Sequence, residues 1–151
     1  MEQNDKRQNN NFDRCTSGLR KAGVKLTHQR IEICREISGR TDHPDADAVF
    51  HAVRQRMPTI SLDTVYRTVS TLINLGLIGT LDVAGESARF DNNIDPHHHF
   101  ICNRCGEAYD FQSEELDNIV LPEEVKALGT VLDTRIQARG ICFECAKKDQ
   151  H

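Results

Sequence analysis

The chain has 151 residues, 38% of them hydrophobic and 28% charged, with a formal net charge of −4. That length holds one ordinary domain or two small ones. The sequence has no apolar run of 18 residues, which excludes a membrane-spanning helix and points to no membrane partner. The acidic total also excludes a nucleic-acid binder that works by bulk charge, so any contact with phosphate must come from the local placement of basic residues.

The charge is uneven along the chain. Residues 1–85 carry 12 Lys/Arg against 10 Asp/Glu, and residues 86–151 carry 7 against 13. Only the N-terminal half has any basic excess to offer phosphate. Met1–Asn11 is polar and lacks the apolar stretch of a secretory signal. Residues 1–14 are therefore expected to be a flexible arm, and the chain to be cytoplasmic. In that compartment paired cysteines serve as metal ligands or redox groups more often than as disulfides.

In chain order, Thr27 is a helix N-cap for Gln29–Ser38, where Ile31, Cys34 and Ile37 mark an apolar stripe and Gly39 ends the helix. Asp45 caps a second helix from Ala46 to about Met57, with Ala48, Val49, Ala52, Val53 and Met57 on its buried face and Pro58 as its stop. Ser61 caps a third, Leu62–Leu75, ended by Gly76. At 100° per residue Leu62, Val65, Val69, Leu72 and Ile73 gather on one side. Arg67 falls opposite them, with Thr64 and Thr71 flanking and Tyr66 at the border. Leu77–Leu81 and Ala88–Phe90 read as a β-hairpin around Ala84-Gly85. Three helices and a hairpin make the order of a winged helix-turn-helix, whose last helix enters the major groove. The plainer reading of Leu62–Leu75 is a core helix with a solvated polar face.

The second half reads as a small α+β domain. Phe100-Ile101, Ala108–Phe111 and Thr130–Ile136 are expected strands, and Ser113 starts an expected helix running to about Leu128. The boundary falls between Phe90 and Pro96, dividing the chain into residues 15–91 and 92–151.

Two Cys-x-x-Cys pairs stand in this half, Cys102/Cys105 and Cys142/Cys145. Four thiolates in two knuckles suit a closed tetrahedral Zn2+ site, which leaves no position open for substrate and is structural. A redox dithiol needs only one such pair. Cys15 and Cys34 are expected to be free thiols, Cys34 as a buried small hydrophobe. His97 and His99 would share one face of a strand, with His98 on the other. Asp91 and Asp110 lie nearby. Nitrogen and carboxylate donors suit Fe2+, Mn2+ or Zn2+, while three adjacent histidines also occur as solvated loops. Local pattern leaves His43 unassigned.

The runs Gly-Val-Lys-Leu-Thr-His-Gln-Arg (23–30), His-Pro-Asp-Ala-Asp (43–47), Ser-Leu-Asp-Thr-Val-Tyr-Arg-Thr (61–68), Ala-Arg-Phe-Asp (88–91) and His-His-His-Phe-Ile-Cys-Asn-Arg-Cys-Gly (97–106) occur in order. With the closing Cys-x-x-Cys, residues 15–148 resemble the ferric uptake regulator family. The resemblance implies a homodimeric, metal-dependent transcriptional repressor of palindromic double-stranded DNA operators, with a winged-helix domain followed by a dimerisation domain. It implies Zn2+ at the four cysteines and a regulatory Fe2+ or Mn2+ at His43, Asp91, His97, His99 and Asp110, latching the two domains. Asp110, where iron sensors usually carry Glu, and the lack of a late histidine near Asp133 resemble the peroxide-responsive branch. There, oxidation of His43 and His97 would release DNA.

Tyr66 followed by Arg67-Thr68 resembles the iron-responsive branch instead, which stands as the alternative function. A metalloenzyme or a zinc-stapled interaction module is more remote, since no nucleophile–base pair stands out. As roles, Arg67 would read guanine, Tyr66 would pack on a thymine methyl and Thr64 would stand beside them. Arg20, Lys21, Lys25 and Arg30 would meet phosphates. The plainer reading of each basic residue is a solvated surface charge.

Overall fold

The structure is a computed structural model that describes residues 2–83 and 85–149. The chain divides into two compact units, the first ending at Ile94 and the second beginning at Asp95. This division lies inside the Phe90–Pro96 interval, three residues after residue 91.

The first unit opens with a long helix, α1 (Glu2–Lys21). The flexible arm expected over residues 1–14 is therefore helical from Glu2 onward. Its anchors are Phe12, Cys15 and Leu19, spaced i, i+3 and i+7 and packed on the core. The Arg35 guanidinium stands 5.4 Å from the centre of the Phe12 ring. Gly18 lets α1 approach closely, because a Cβ there would run into the Leu77 side chain.

Three capped helices follow: α2 (His28–Ser38), α3 (Ala46–Arg54) and α4 (Leu62–Asn74). The Thr27, Asp45 and Ser61 side chains accept from the amides of Arg30, Ala48 and Thr64, as their sequence positions require. The second helix stops three residues before Met57, and Gly76 takes φ +69 beyond the third. Ile33, Ile37, Val49, Val53, Val65, Val69 and Leu72 fill the core between them. Strands β1 (Gly79–Leu81) and β2 (Arg89–Asp91) pair antiparallel, Thr80 opposite Phe90, to form the wing. Ala84, in the expected turn, lies outside the described residues. This is a winged helix-turn-helix, with α4 as the last helix before the wing.

Cys15 and Cys34 are joined as a disulfide, with their Cα atoms 6.1 Å apart. The expectation of two free thiols is corrected here. Docking α1 on α2 brings together residues that no local pattern relates.

The second unit is a three-stranded sheet in the order β4-β3-β5, built from β3 (His98–Cys102), β4 (Ala108–Phe111) and β5 (Gln137–Gly140). β3 pairs antiparallel with β4 and parallel with β5. The strand expected over Thr130–Ile136 is irregular, and the ladder forms on the residues just after it. The helix expected from Ser113 to Leu128 is two single turns, α5 (Glu114–Asp117) and α6 (Glu123–Lys126). Pro122 explains the break. It donates no amide hydrogen bond and turns the preceding residue away from helix. The last element is α7 (Phe143–Lys148). Among the described residues no helix is long and apolar enough to cross a membrane.

Candidate metal centres and recognition surface

The four paired cysteines converge. Cys102 ends β3, and Cys105 lies in the turn that follows. Parallel pairing places Cys102 opposite Gly140, which sets Cys142, the N-cap of α7, and Cys145 within reach. All four Sγ atoms lie within 4.8 Å of one another. Cys105 and Cys142 Sγ are 3.9 Å apart, close to the roughly 3.8 Å that a tetrahedral ion with Zn–S bonds of about 2.3 Å sets. Arg104, inside the first knuckle, donates to the Cys145 carbonyl at 3.2 Å and pairs with Asp149, tying that knuckle to α7.

The backbone N–H of Cys105, and then that of Cys142 at 3.3 Å from Cys102 Sγ, hold the Cys102 thiol down at about 6. Burial, and then the neighbouring Cys142 thiol, push Cys145 up to about 12. Cys102 and Cys142 are thus held toward the thiolate, whereas Cys105 and Cys145 resist ionisation. A divalent cation removes that resistance, because each thiolate then faces positive charge. Donor type, number and spacing all fit Zn2+.

The hard donors are prepared separately in each unit. In the first, His43 and Asp91 are both buried, with His43 Nε2 3.8 Å from Asp91 Oδ2. His43 has φ +51, a left-handed conformation uncommon outside glycine. It is held there from the wing. Arg89 Nε donates to the His43 carbonyl and its Nη2 to the Asp42 carbonyl, both at 2.7 Å, and the Phe90 amide donates to the Pro44 carbonyl at 2.8 Å. Just past Asp91, the Asn92 carboxamide donates to the Ile37 and Arg40 carbonyls at 2.7 and 2.8 Å. The end of the wing is thus pinned to the chain that leads into His43.

In the second unit His97, just before β3, and His99 within it point the same way. Their Nε2 atoms are 3.0 Å apart, and His99 Nε2 is 3.2 Å from Asp110 Oδ1 on the neighbouring strand, where His99 and Asp110 are register partners. His97 Nδ1 meets the Asp95 carbonyl at 2.6 Å. A carbonyl only accepts, so Nδ1 carries the proton and Nε2 presents its lone pair to the cluster. Two nitrogens each about 2.1 Å from one ion at right angles would stand about 3.0 Å apart. The donors suit a divalent ion of Fe2+ or Mn2+ character.

His98 faces the other side of β3. Fully buried, it accepts from the Ile136 amide at Nδ1 (3.0 Å) and donates from Nε2 to Asp117 at 2.9 Å. It stitches α5 and the chain before β5 to the strand that carries His97 and His99. Sequence alone placed His98 only on the opposite face. Its partners are distant in the chain and left no local signal. Arg89 likewise carries no local signal of its own, and its hold on His43 needs the folded wing.

On α4, Tyr66 and Arg67 are exposed, the Arg67 side chain by 81%. Arg67 Nε pairs with Asp63 at 2.8 Å, an exposed i, i+4 contact that costs little to give up. Thr64 is half-buried, its hydroxyl 2.9 Å from that of Ser61. Arg20 and Lys21 occupy the last turn of α1, and both are exposed, as is Lys25. Arg30 Nη1 is engaged with the Lys25 carbonyl at 2.6 Å. These residues lie on two surfaces of one unit, α4 and the α1–α2 connection. The buried Glu32 carboxylate, held by Arg35 and by Arg56 Nε at 2.9 Å, ties α2 to the turn after α3 and so fixes the base on which α4 stands.

A winged helix joined to a sheet domain with soft and hard metal-ligand sets defines a metal-responsive DNA-binding class. The model of the ferric uptake regulator family matches residues 21–139. The chain belongs to the ferric uptake regulator family and is, as such, a metal-dependent transcriptional repressor. It is 33% identical over 132 residues to the peroxide-responsive repressor PerR of Staphylococcus epidermidis, spanning 87% of this chain and 88% of that one. It is similar to the manganese-containing ferric uptake regulator structure from Pseudomonas aeruginosa (26% identity, TM-score 0.67, 85% of this chain and 97% of that one). The Helicobacter pylori ferric uptake regulator shares the fold at TM-score 0.73 and 22% identity, with 92% and 93% of the two chains covered.

Proposed function

We propose that this chain is a cytoplasmic homodimeric repressor that binds a palindromic operator and senses peroxide by oxidation of its own histidines. The observation that carries the reading is the shorter carboxylate, Asp110, set 3.2 Å from His99 Nε2 where iron sensors of the family usually carry Glu. Likeness to a peroxide-responsive repressor over 87% of the chain supports it.

In this reading Cys102, Cys105, Cys142 and Cys145 hold Zn2+ permanently. One Fe2+ or Mn2+ is held by His43, Asp91, His97, His99 and Asp110, the donor set the family resemblance implies. A ligand set drawn from both parts of the chain couples metal binding to operator affinity. Fe2+ at that site would activate the peroxide O–O bond, with the imidazole as the group oxidised, whereas Mn2+ would hold the DNA-binding form without that reaction. The residues do the rest. His97, its Nδ1 proton fixed on the Asp95 carbonyl, and His43, fixed by Arg89, each present a ring to the oxidant. Addition of one oxygen atom from peroxide to an imidazole leaves water as the other product and weakens that ring as a ligand.

Residues 15–91 then serve as the DNA-binding domain, with Arg67, Tyr66 and Thr64 at the bases and Arg20, Lys21, Lys25 and Arg30 at phosphates. Residues 92–151 serve dimerisation. Exposed Leu132, Val131, Phe143 and Tyr109 supply apolar surface for a second copy. A set of five protein ligands leaves little room for a substrate, which favours a sensor over an enzyme.

The test is mass spectrometry of the Fe2+-loaded protein after mild peroxide. One oxygen is expected on His43 or His97, with loss of operator binding, and neither is expected with Mn2+. Absence of added oxygen overturns the peroxide reading. The second reading, an iron-responsive repressor, is favoured by Arg67-Thr68 following Tyr66. It predicts Fe2+-dependent operator binding that survives peroxide.

A further inference from the structure

We propose that Cys15 and Cys34 form a reversible thiol–disulfide site that locks α1 onto the winged helix and responds to small-molecule disulfides independently of either metal centre. The two sulfurs come from different helices and belong to neither Cys-x-x-Cys pair. Docking of α1 on α2 brings them together with Cα atoms 6.1 Å apart, inside the usual span of a disulfide, so the bond forms without moving the backbone.

Both residues are almost fully buried, Cys15 at 3% and Cys34 at 0% exposure. A buried thiol is shielded from reagents in solution, so reaction must wait for local opening. α1 is the element that can open. Its buried residues are Cys15, Thr16 and Leu19, within little more than one turn. Segments with so little burial detach at a small fraction of the cost of global unfolding. Lifting α1 exposes Cys34 on α2 and Cys15 on α1 at once.

The chemistry balances with one co-reactant, a low-molecular-weight disulfide. The thiolate of one cysteine attacks a sulfur of the reagent, breaking its S–S bond and releasing one small thiol. The resulting mixed disulfide is attacked by the second cysteine, which releases the other small thiol and forms Cys15–Cys34. Two protein thiols are oxidised, one small disulfide is reduced, and an excess of small thiol reverses both steps. Closing the loop between residues 15 and 34 then restricts every state in which α1 is detached, so the bond holds the helix down.

The experiment uses full-length, zinc-loaded, pre-reduced protein incubated with oxidised glutathione, blocked with N-ethylmaleimide and digested without reductant. A peptide pair cross-linked through Cys15 and Cys34 is expected, forming several-fold faster in sub-denaturing urea as opening becomes more frequent. Recovery of both residues as maleimide adducts, or as separate glutathione adducts, overturns the site. A rate unchanged by urea overturns the opening step. Hydrogen exchange supplies the second readout. Amides of α1 should gain at least about ten-fold protection on oxidation, and no gain should appear in the Cys15→Ala variant. An equal gain in that variant overturns the lock.

Discussion

Arg89, on the second strand of the wing, donates from Nε to the carbonyl of His43 at 2.7 Å and from Nη2 to that of Asp42 at the same distance. A residue outside the donor set thus holds a ligand candidate in a left-handed backbone conformation. His43 Nε2 then stands 3.8 Å from Asp91 Oδ2.

Arg89→Ala should therefore weaken regulatory-metal binding without touching the cysteines. Residues that orient a metal ligand are typically worth about 10- to 100-fold in affinity. A Mn2+ titration should show a loss of that size, with zinc content unchanged. Unaltered Mn2+ affinity would show that the His43 geometry does not depend on Arg89.

Cys102→Ser removes the sulfur on which the backbone amides of Cys105, Cys142 and Arg104 converge. A structural zinc site contributes about 10 kcal/mol or more to folding, and the second unit has few other buried apolar residues, Ile101 and Ala108 among them. Zinc content should fall to near zero and the second unit should lose its sheet, while helical circular dichroism from the first unit persists. Metal analysis and amide exchange of β3 check this together.

Arg67→Ala tests the recognition surface. Among the described residues the Arg67 guanidinium pairs with exposed Asp63, so its removal should leave stability within about 0.5 kcal/mol. Loss of a base contact should cost about 1–3 kcal/mol, or roughly 5- to 150-fold in operator affinity. A mobility-shift titration at fixed salt with Mn2+ gives the answer. Unchanged binding would assign α4 to a protein partner instead.

Stability of the first unit should depend on acid through Glu32. The hydrogen bond from Arg56, outweighing the opposing effect of burial, holds the Glu32 carboxyl below its usual value of 4.5. A carboxyl lowered in the folded state contributes fully above its unfolded pKa and loses that contribution as pH falls through the folded value. Urea midpoints should be flat in this respect from neutral pH to about pH 5 and should fall below about pH 4.5. Glu32→Gln should lower stability at neutral pH by about 1–3 kcal/mol and flatten the acid limb.

Much of this molecule is written locally. Thr27, Asp45 and Ser61 cap their helices because a hydroxyl or carboxylate satisfies amides two or three residues on, within a single turn. The cysteine spacing fixes what each knuckle can offer, and strand alternation alone puts His97 and His99 on one face. The break at Pro122 is also local, since the proline ring lacks the amide that a continuous helix needs there.

What the tertiary structure decided concerns pairs far apart in the chain. The docking of α1, the Cys15–Cys34 bond, the hold of Arg89 on His43 and the partners of His98 follow from packing, which no periodicity of 3.6 or 2 encodes. The strand expected at 130–136 illustrates the same limit. Its β-branched residues favour extended chain, yet hydrogen bonding to β3 went to Gln137–Gly140, because a ladder needs a partner edge as well as propensity. Sequence determined which ligands and caps exist. Packing decided which of them meet.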